Sequence, residues 1–272
     1  MSNKIRTAWI IGTGPSLRKI DVSLLKKQHT ITFNRAYVAY EDWGFDPTFY
    51  LSIDANDLRA MYKDVNKLIL ESNTKAFFLP KINNNLAHGP ESFQDNDRRE
   101  NLFIDHKKVF TILGQDDPEV GEQIPPWVAS LNPQDTKIDF KSRKIYSFHD
   151  SNSGIMALKI LKALGYNEIA FVGCDARYRD DDESNKFITN IGGEYISHEN
   201  YDVNHFRDDY FGQGMRFGKP NEKWIVACWK HAAQQIEESY SSHFRVYSCT
   251  ENSNLNAFYK YIPYEEFLKG KR

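Results

Sequence analysis

The sequence predicts an α/β protein in which helices cover both faces of a mostly parallel β-sheet. Short apolar segments alternate along the chain with segments whose apolar residues have helical spacing. Several of the short segments are uniformly apolar, which is typical of strands buried on both faces of a sheet. Glycine or polar residues follow five of these segments, and in parallel sheets ligands bind at the carboxyl ends of the strands. The same pattern therefore predicts one ligand-binding crevice.

The individual elements follow from these patterns. Strands are expected at Thr7–Ile11, Thr30–Phe33, Thr48–Ile53, Lys75–Leu79, Val109–Leu113, Lys144–Phe148, Glu168–Val172 and Phe244–Tyr247. Helices are expected at Asn56–Leu70, Ser153–Leu164 and Asn221–Ser239, with a short helical piece at Asn256–Tyr259. Gly165 is the expected C-cap of the second helix, and Ser153 is a candidate for its N-cap.

The chain is expected to form a single domain over residues 1–272. Residues 83–142 or thereabouts are weakly patterned, which predicts an irregular insert around one or two strands. The polar region of about 176–218 is rich in Asp, Asn, His and Tyr, and we expect it to form an irregular, lid-like loop over the crevice.

Composition and charge exclude several classes of protein. A net charge of −2 argues against a general nucleic-acid binder. The three cysteines are far apart, which disfavours a disulfide framework or a zinc site. The apolar run Ala8–Ile11 is too short for a signal peptide, and no apolar stretch reaches the ~18–20 residues that span a bilayer. A cytoplasmic location is expected.

The first glycine turn, Gly12-Thr13-Gly14-Pro15-Ser16-Leu17, follows the first strand. Glycines let a backbone approach a ligand closely, and a following helix N-terminus favours a phosphate. Leu17 stands where the dinucleotide fingerprint needs a third glycine, and the loop does not match a P-loop. We expect nucleotide contact from Thr13 and the two glycines, with a simple turn as the open alternative.

Two other strand ends carry similar signals. Ser153 and Gly154 begin a helix after a strand. One expectation is that Ser153 caps the helix; the other is that these residues direct amide and hydroxyl groups into the crevice. Gly173 and Asp175 end another strand, and Asp175 is expected to hold a ribose or to position a loop.

Acidic clusters raise the alternative of a metal site. Asp54 ends a strand with Asp57 close behind it, and Asp180–Glu183 forms an acidic run. Either would suit Mg²⁺ or Mn²⁺ bound to a diphosphate. The polar surroundings of the second cluster favour a solvated loop, and Asp57 also suits the first turn of a helix. The expectation is therefore no metal, with Asp54 as the better candidate.

Several blocks together resemble a known family. These are Gly12–Leu17, Phe33–Tyr37, Ser153–Gly154 and Leu164–Tyr178. They look like the Campylobacter-type bacterial sialyltransferases and the related motility- and lipopolysaccharide-associated glycosyltransferases. The match covers roughly residues 1–55 and 145–260. It implies a Rossmann-like fold, a CMP-activated sugar as donor substrate, and neither a cofactor nor a metal.

The resemblance also implies which residues line the nucleotide pocket. They are Gly12, Gly14, Ser16, Asn34, Ser153, Gly154 and Asp175, to which the strand-end pattern adds Thr13, Asp54 and Gly173. Thr13 and Asp54 depart from the family, which usually carries Asn at both positions. The loop Asp202–Phe206 and Asp209–Gly212 resembles the lipopolysaccharide-associated branch, so the donor sugar is expected to be sialic acid, another nonulosonate or a Kdo-like sugar.

Catalytic roles implied by the resemblance fall in the polar region. It implies a histidine base and tyrosine hydroxyls on the leaving phosphate. That region offers Tyr178, Tyr195, His198, Tyr201, His205 and Tyr210. We predict His205 as the base, with His198 as the next candidate, and Tyr178 and Tyr210 as the tyrosines. Histidine suits this role because its pKa lies near neutrality.

The predicted partners are a nucleotide-sugar donor and a glycan acceptor in lipopolysaccharide biosynthesis, with no nucleic acid. Peripheral membrane association and homo-oligomerisation are left open. One alternative is a pterin diphosphokinase-like enzyme, which would use ATP and Mg²⁺ held by Asp54 and Asp175. Another is a non-catalytic protein of a surface-polysaccharide pathway.

Overall fold

The computed structural model describes residues 4–80, 102–113, 136–147, 152–179, 188–191, 194–218, 221–240 and 243–272. Their architecture is α/β, with helices on both faces of a mostly parallel sheet, which confirms the predicted fold class. The acidic run Asp180–Glu183 and most of the expected insert lie outside the described residues.

The main sheet contains ten described strands. They are β1 (Thr7–Ile11), β2 (Thr30–Phe33), β3 (Phe49–Leu51), β4 (Ala76–Pro80), β5 (Val109–Leu113), β6 (Thr136–Asp139), β7 (Lys144–Ser147), β8 (Glu168–Val172), β12 (Arg245–Ser248) and β13 (Lys260–Tyr261). Their order is β13-β12-β8-β1-β2-β3-β4-β5-β7-β6, and among these pairs only β6 with β7 is antiparallel. A second, antiparallel sheet contains β9 (Ile188–Ile191), β10 (Glu194–Ser197) and β11 (Arg216–Gly218).

The strand order reverses direction at β1. Trp9 pairs with Thr30 of β2 on one side and with Ala170 of β8 on the other. Strands β2 to β7 lie on one side of β1. The chain then returns to the other side of β1, where β8, β12 and β13 follow in order. In doubly wound sheets such a switch point leaves a crevice at the carboxyl ends of the strands.

Alternate residues of β1 enter two different cores. Ala8 and Ile10 pack with α3 (Ser153–Ala163) and α4 (Glu222–Gln235). Trp9 and Ile11 face the other side, where the ring of Trp9 lies 5.0 Å from that of Phe267. Both faces of the strand are buried, which explains its uniformly apolar sequence. The remaining helices are α1 (Tyr40–Trp43), α2 (Ala55–Glu71) and α5 (Tyr264–Leu268), with 3-10 turns at Pro15–Lys19, Val22–Leu25, Asn34–Ala39 and Asn254–Ala257 and a π-helical turn at Ile236–Tyr240.

The structure corrects three sequence-based details. The N-cap of α3 is Asn152, because its side chain rather than that of Ser153 accepts hydrogen bonds from the first helical amides. The C-cap is Leu164, and Gly165 follows it with a φ of +82°. The region 176–218 was expected to be irregular, yet three short strands pair there because the chain doubles back on itself.

In the part of the chain that the structure describes, no helix combines the length and apolar character needed to cross a membrane.

Candidate functional site

A crevice of about 560 Å³ opens at the carboxyl ends of the central strands. Its walls come from the loops after β1, β2, β3 and β8, from the start of α3, and from residues 204–211. It brings together Thr13, Gly14, Asn34, Asp54, Ser153, Gly154, Gly173, Asp175, Tyr178, His205 and Tyr210. Of the predicted site residues, Gly12 and Ser16 are absent from its lining.

The glycines after β1 allow two strand-end loops to touch. The amide of Gly12 donates to the carbonyl of Val172, and that of Gly14 donates to the carbonyl of Gly173, each at 2.8 Å. A Cβ atom on Gly14 would collide with the carboxylate of Asp175. Both amides are already bonded, so the glycines place the loops rather than offering these N–H groups to a phosphate.

Asp175 is held from behind by Ser16, whose hydroxyl donates to Oδ2 at 2.7 Å. Burial raises the pKa of Asp175, while the hydrogen bonds from Ser16 act in the opposite direction. Ser16 thus serves the site indirectly, by orienting a carboxyl group that does line the crevice.

Asn34 has a left-handed backbone, with a φ of +53°. Its Oδ1 atom accepts hydrogen bonds from the hydroxyls of Ser52 at 3.1 Å and Ser153 at 3.4 Å. Its carbonyl accepts one from Tyr50 at 2.9 Å. These contacts orient the side-chain amide so that Nδ2 is the group left for a ligand.

Asn152 also lines the crevice and is only 6% exposed. Its Oδ1 atom caps α3 by accepting from the amides of Gly154 at 3.0 Å and Ile155 at 3.2 Å. Among the described residues its buried Nδ2 atom has no hydrogen-bond partner. A buried donor at a helix N-terminus favours an oxygen-rich or anionic ligand group.

Asp54 and Asp57 lie at the start of α2 and also line the crevice. The amide of Asp57 donates to Oδ1 of Asp54 at 3.2 Å. Burial, and secondarily the charge of Asp54, raises the pKa of Asp57 to about 7, against the opposing effect of Arg35. Within the described residues no three His, Cys, Asp or Glu side chains are grouped so that they could hold a metal.

His205 is a buried ring in the crevice wall, 8% exposed. Its Nδ1 atom lies 2.8 Å from Oδ2 of Asp202. The imidazole stacks on Tyr210, with ring centroids 4.0 Å apart and planes 7° from parallel, and meets the ring of Phe211 edge-on at 5.0 Å. The ring is thereby fixed in one orientation.

The segment that carries His205 is attached to the first loop of the fold. The amide of Phe206 donates to the carbonyl of Thr13 at 3.0 Å. The guanidinium of Arg18 donates to the carbonyls of Asp202 at 2.8 Å and His205 at 3.0 Å. Residues 202–206 of the expected lid therefore pack against the loop after β1 and the turn that follows it.

The two predicted tyrosines occupy different positions. Tyr210 is 1% exposed, and its hydroxyl accepts from the amide of Arg35 at 3.2 Å and hydrogen-bonds with Thr13. At this position Tyr210 can support the ring of His205, on which it stacks. Tyr178 is partly buried in the crevice wall, and burial raises the pKa of its hydroxyl. Contact with a leaving phosphate stays a prediction, and Tyr178 is the better placed of the two.

The other histidine candidate, His198, is exposed and does not line the crevice.

Sequence reasoning missed the roles of Asn152 and Asp202. Asn152 had a usable signal, since it stands directly before a predicted helix. Asp202 stands three residues before His205, a spacing that brings two side chains together only in some backbone conformations. Trp224, which also lines the crevice, gave no signal beyond its place in a helix.

No family model matches the chain, and no curated protein matches it. Solved structures that it resembles are glycosyltransferases. One is the MAf glycosyltransferase from Magnetospirillum magneticum AMB-1, with a TM-score of 0.47 and 17% identity over 97% of this chain and 34% of that one. The chain thus spans about a third of that protein.

The others are two structures of the sialyltransferase CstII from Campylobacter jejuni. In complex with the substrate analogue CMP-3FNeuAc it gives a TM-score of 0.45 and 17% identity, over 95% of this chain and 87% of that one. In complex with cytidine-5′-monophosphate it gives a TM-score of 0.47 and 18% identity, over 95% and 85%.

Proposed function

We propose that the chain is a glycosyltransferase that moves a sugar from a CMP-activated donor to a glycan acceptor, in the assembly of a surface glycan such as lipopolysaccharide. The donor sugar is sialic acid, another nonulosonate or a Kdo-like sugar. The observation that carries the proposal is one crevice whose lining combines Asn152, which has an unpartnered buried amide group, with a buried histidine that is hydrogen-bonded to a carboxylate. Its volume suits a ligand of nucleotide-sugar size.

The donor binds along the strand ends. Nδ2 of Asn152 and the N-terminus of α3 face the anionic part of the donor. Nδ2 of Asn34 adds a second amide donor from the neighbouring loop. Asp175, held in place by Ser16, binds ribose hydroxyls. The residues after β1 act mainly by placing Asp175.

Transfer then needs one proton acceptor and one stabilised leaving group. The acceptor hydroxyl attacks the anomeric carbon, the bond from that carbon to the phosphate oxygen breaks, and CMP leaves. His205 takes the hydroxyl proton. The hydroxyl of Tyr178 is protonated at neutral pH, since burial raises its pKa further above the ordinary tyrosine value, and it donates to the departing phosphate. No metal or cofactor enters this scheme.

A nucleotide screen tests the proposal. The melting temperature of the whole chain is measured with CMP, UDP, GDP and ATP, each with EDTA and with Mg²⁺, and release of CMP is then followed from CMP-sugars. Stabilisation by CMP in EDTA, followed by acceptor-dependent CMP release, is the expected result. Stabilisation by ATP only with Mg²⁺ would favour the pterin diphosphokinase-like alternative. No effect of any nucleotide would favour a non-catalytic protein.

A further inference from the structure

We infer that Asp202 is the positioning residue of the base: it holds His205 with a proton on Nδ1 and a bare Nε2 toward the crevice. This inference rests on the proposed function for the role of His205, but the arrangement of the two side chains can be measured without it.

The hydrogen bond determines the tautomer. Nδ1 of His205 lies 2.8 Å from Oδ2 of Asp202, and both side chains are about nine-tenths buried. An ionised carboxylate can only accept hydrogen bonds, so Nδ1 must donate. In a neutral imidazole the remaining nitrogen then carries the lone pair. Nε2 has no hydrogen-bond partner among the described residues, and His205 lines the crevice.

The carboxylate is itself fixed. Its Oδ1 atom accepts from the amide of Asn204 at 2.9 Å, so each oxygen has its own donor. Arg18 holds the backbone carbonyls of Asp202 and His205, and Tyr210 lies flat against the imidazole. The rotation of both side chains is therefore restrained before any ligand arrives, as preorganised catalysis requires.

Proton transfer uses this arrangement directly. The acceptor O–H bond breaks as the new glycosidic bond forms, and the proton moves to Nε2 of His205. The imidazolium then carries protons on both nitrogens, and Asp202 stabilises it while remaining ionised. After CMP leaves, the proton on Nε2 is released to solvent. Asp202 thus prevents the opposite tautomer, in which Nε2 could not accept a proton.

Asp202→Asn separates this role from a structural one. Asparagine keeps the Oδ1 acceptor for the Asn204 amide, so the local turn survives. We expect kcat to fall at least about tenfold, within the ~10²–10⁴-fold range of a lost general base, with donor KM changed by less than about twofold. The pH profile of kcat is recorded for both proteins, because the substitution removes the charge that faces the imidazole.

Asp208→Asn is the matched control. It makes the same charge change in the same loop, on an exposed carboxylate that pairs with Arg18. It should leave kcat and the pH profile as in the wild type. If Asp202→Asn also keeps the wild-type kcat and profile, the assignment of Asp202 is wrong, whatever the sugar transferred.

Nitrogen-15 NMR of the imidazoles supplies a readout that does not need activity. The His205 signals are assigned as those missing in His205→Gln. The wild type should show protonated Nδ1 and bare Nε2 at alkaline pH, and Asp202→Asn should shift the population toward the tautomer with protonated Nε2, because the asparagine Nδ2 atom would donate to Nδ1. Protonated Nε2 in the wild type would overturn the inference even if CMP-sugars are turned over. If the wild type shows the expected tautomer but neither binds nor uses CMP-sugars, the proposed function is wrong. The inference that Asp202 sets the tautomer of His205 would still stand.

Discussion

At the scale of single residues, the side chains around His205 determine how its substitution affects turnover and stability. Because the ring is buried, His205→Ala would also leave a cavity against Tyr210. Glutamine is the better substitution, since its amide can still donate to Asp202. We expect His205→Gln to lower turnover by about 10²–10⁴-fold with donor affinity nearly unchanged. Loss of the stacked ring should cost roughly 0.5–1.5 kcal/mol of stability.

Steady-state kinetics and thermal unfolding check this prediction. His198→Gln, in an exposed side chain outside the crevice, is the control and should behave as the wild type. Near wild-type turnover in His205→Gln would remove His205 from the mechanism.

The carboxyl group of Asp57 should make stability depend on pH. Its pKa in the folded chain is about 7, above the ordinary value of 3.8, so the folded state binds more protons than the unfolded state between these values. Stability therefore falls as pH rises from about 4 to 7. Asp57→Asn removes this loss, and we expect it to be more stable than the wild type at pH 8 by on the order of 1 kcal/mol.

The difference should shrink toward zero at pH 4, and denaturant unfolding at both pH values measures it. Glu71→Gln, at the exposed end of the same helix, should retain the pH slope of the wild type. An Asp57→Asn variant with the wild-type slope would show that Asp57 titrates normally.

At the scale of elements, the start of α3 combines a structural role with a binding role. Asn152 caps the helix through Oδ1, and its buried Nδ2 atom has no hydrogen-bond partner among the described residues. Aspartate caps a helix as well as asparagine does, but it lacks the amide donor and adds negative charge. We expect Asn152→Asp to keep stability within about 1 kcal/mol while raising the Kd for CMP about tenfold or more.

Asn152→Ala should lose both roles, with about 0.5–2 kcal/mol of stability lost from the missing cap. Calorimetric titration with CMP and thermal unfolding of the three proteins distinguish the roles. Unchanged CMP affinity in Asn152→Asp would place the donor elsewhere in the crevice.

The loops after β1 and β8 touch each other, so a change in one is expected to affect the other. A side chain on Gly14 would collide with Asp175 and lie 2.9 Å from the carbonyl of Gly173. We expect Gly14→Ala to lower stability by about 1–3 kcal/mol and to weaken nucleotide binding together. In a double-mutant cycle with Asp175→Ala, the combined loss should be smaller than the sum of the single losses. Additive losses would mean that Gly14 and Asp175 do not restrain each other.

At the scale of the whole molecule, the sheet brings loops from distant parts of the chain to one crevice. The lining of the crevice includes the carboxylic residues Asp54 and Asp57 and the amide residues Asn34 and Asn152. We predict that CMP-sugar turnover persists in EDTA, because tyrosine and amide donors can stabilise the leaving phosphate. Activity that disappears in EDTA and returns with Mn²⁺ would contradict this prediction and make Asp54 and Asp57 the first residues to test as metal ligands.

Local patterns predicted the central strands well, because β1, β2 and β8 are buried on both faces and read as uniformly apolar runs. Local patterns did not predict the elements that are too short to show a periodic pattern of apolar residues. The two-residue strand β13 and the short helix α5 carry too few residues for a period to show. The strands β9 to β11 are three or four residues long, and their pairing with one another defines them.

The sequence by itself determined the α/β class and the strand ends that carry polar residues, since burial and turn chemistry act over a few neighbouring positions. It also placed His205 and Asp175 among the candidates. Only the tertiary structure decided how these groups are held. The contacts of Asp175 with Ser16, of Arg18 with the carbonyl of His205, and of Asn34 with Ser153 span more than 100 residues each. Such pairs meet because the strand order brings their loops to one edge of the sheet, and no local pattern records that order.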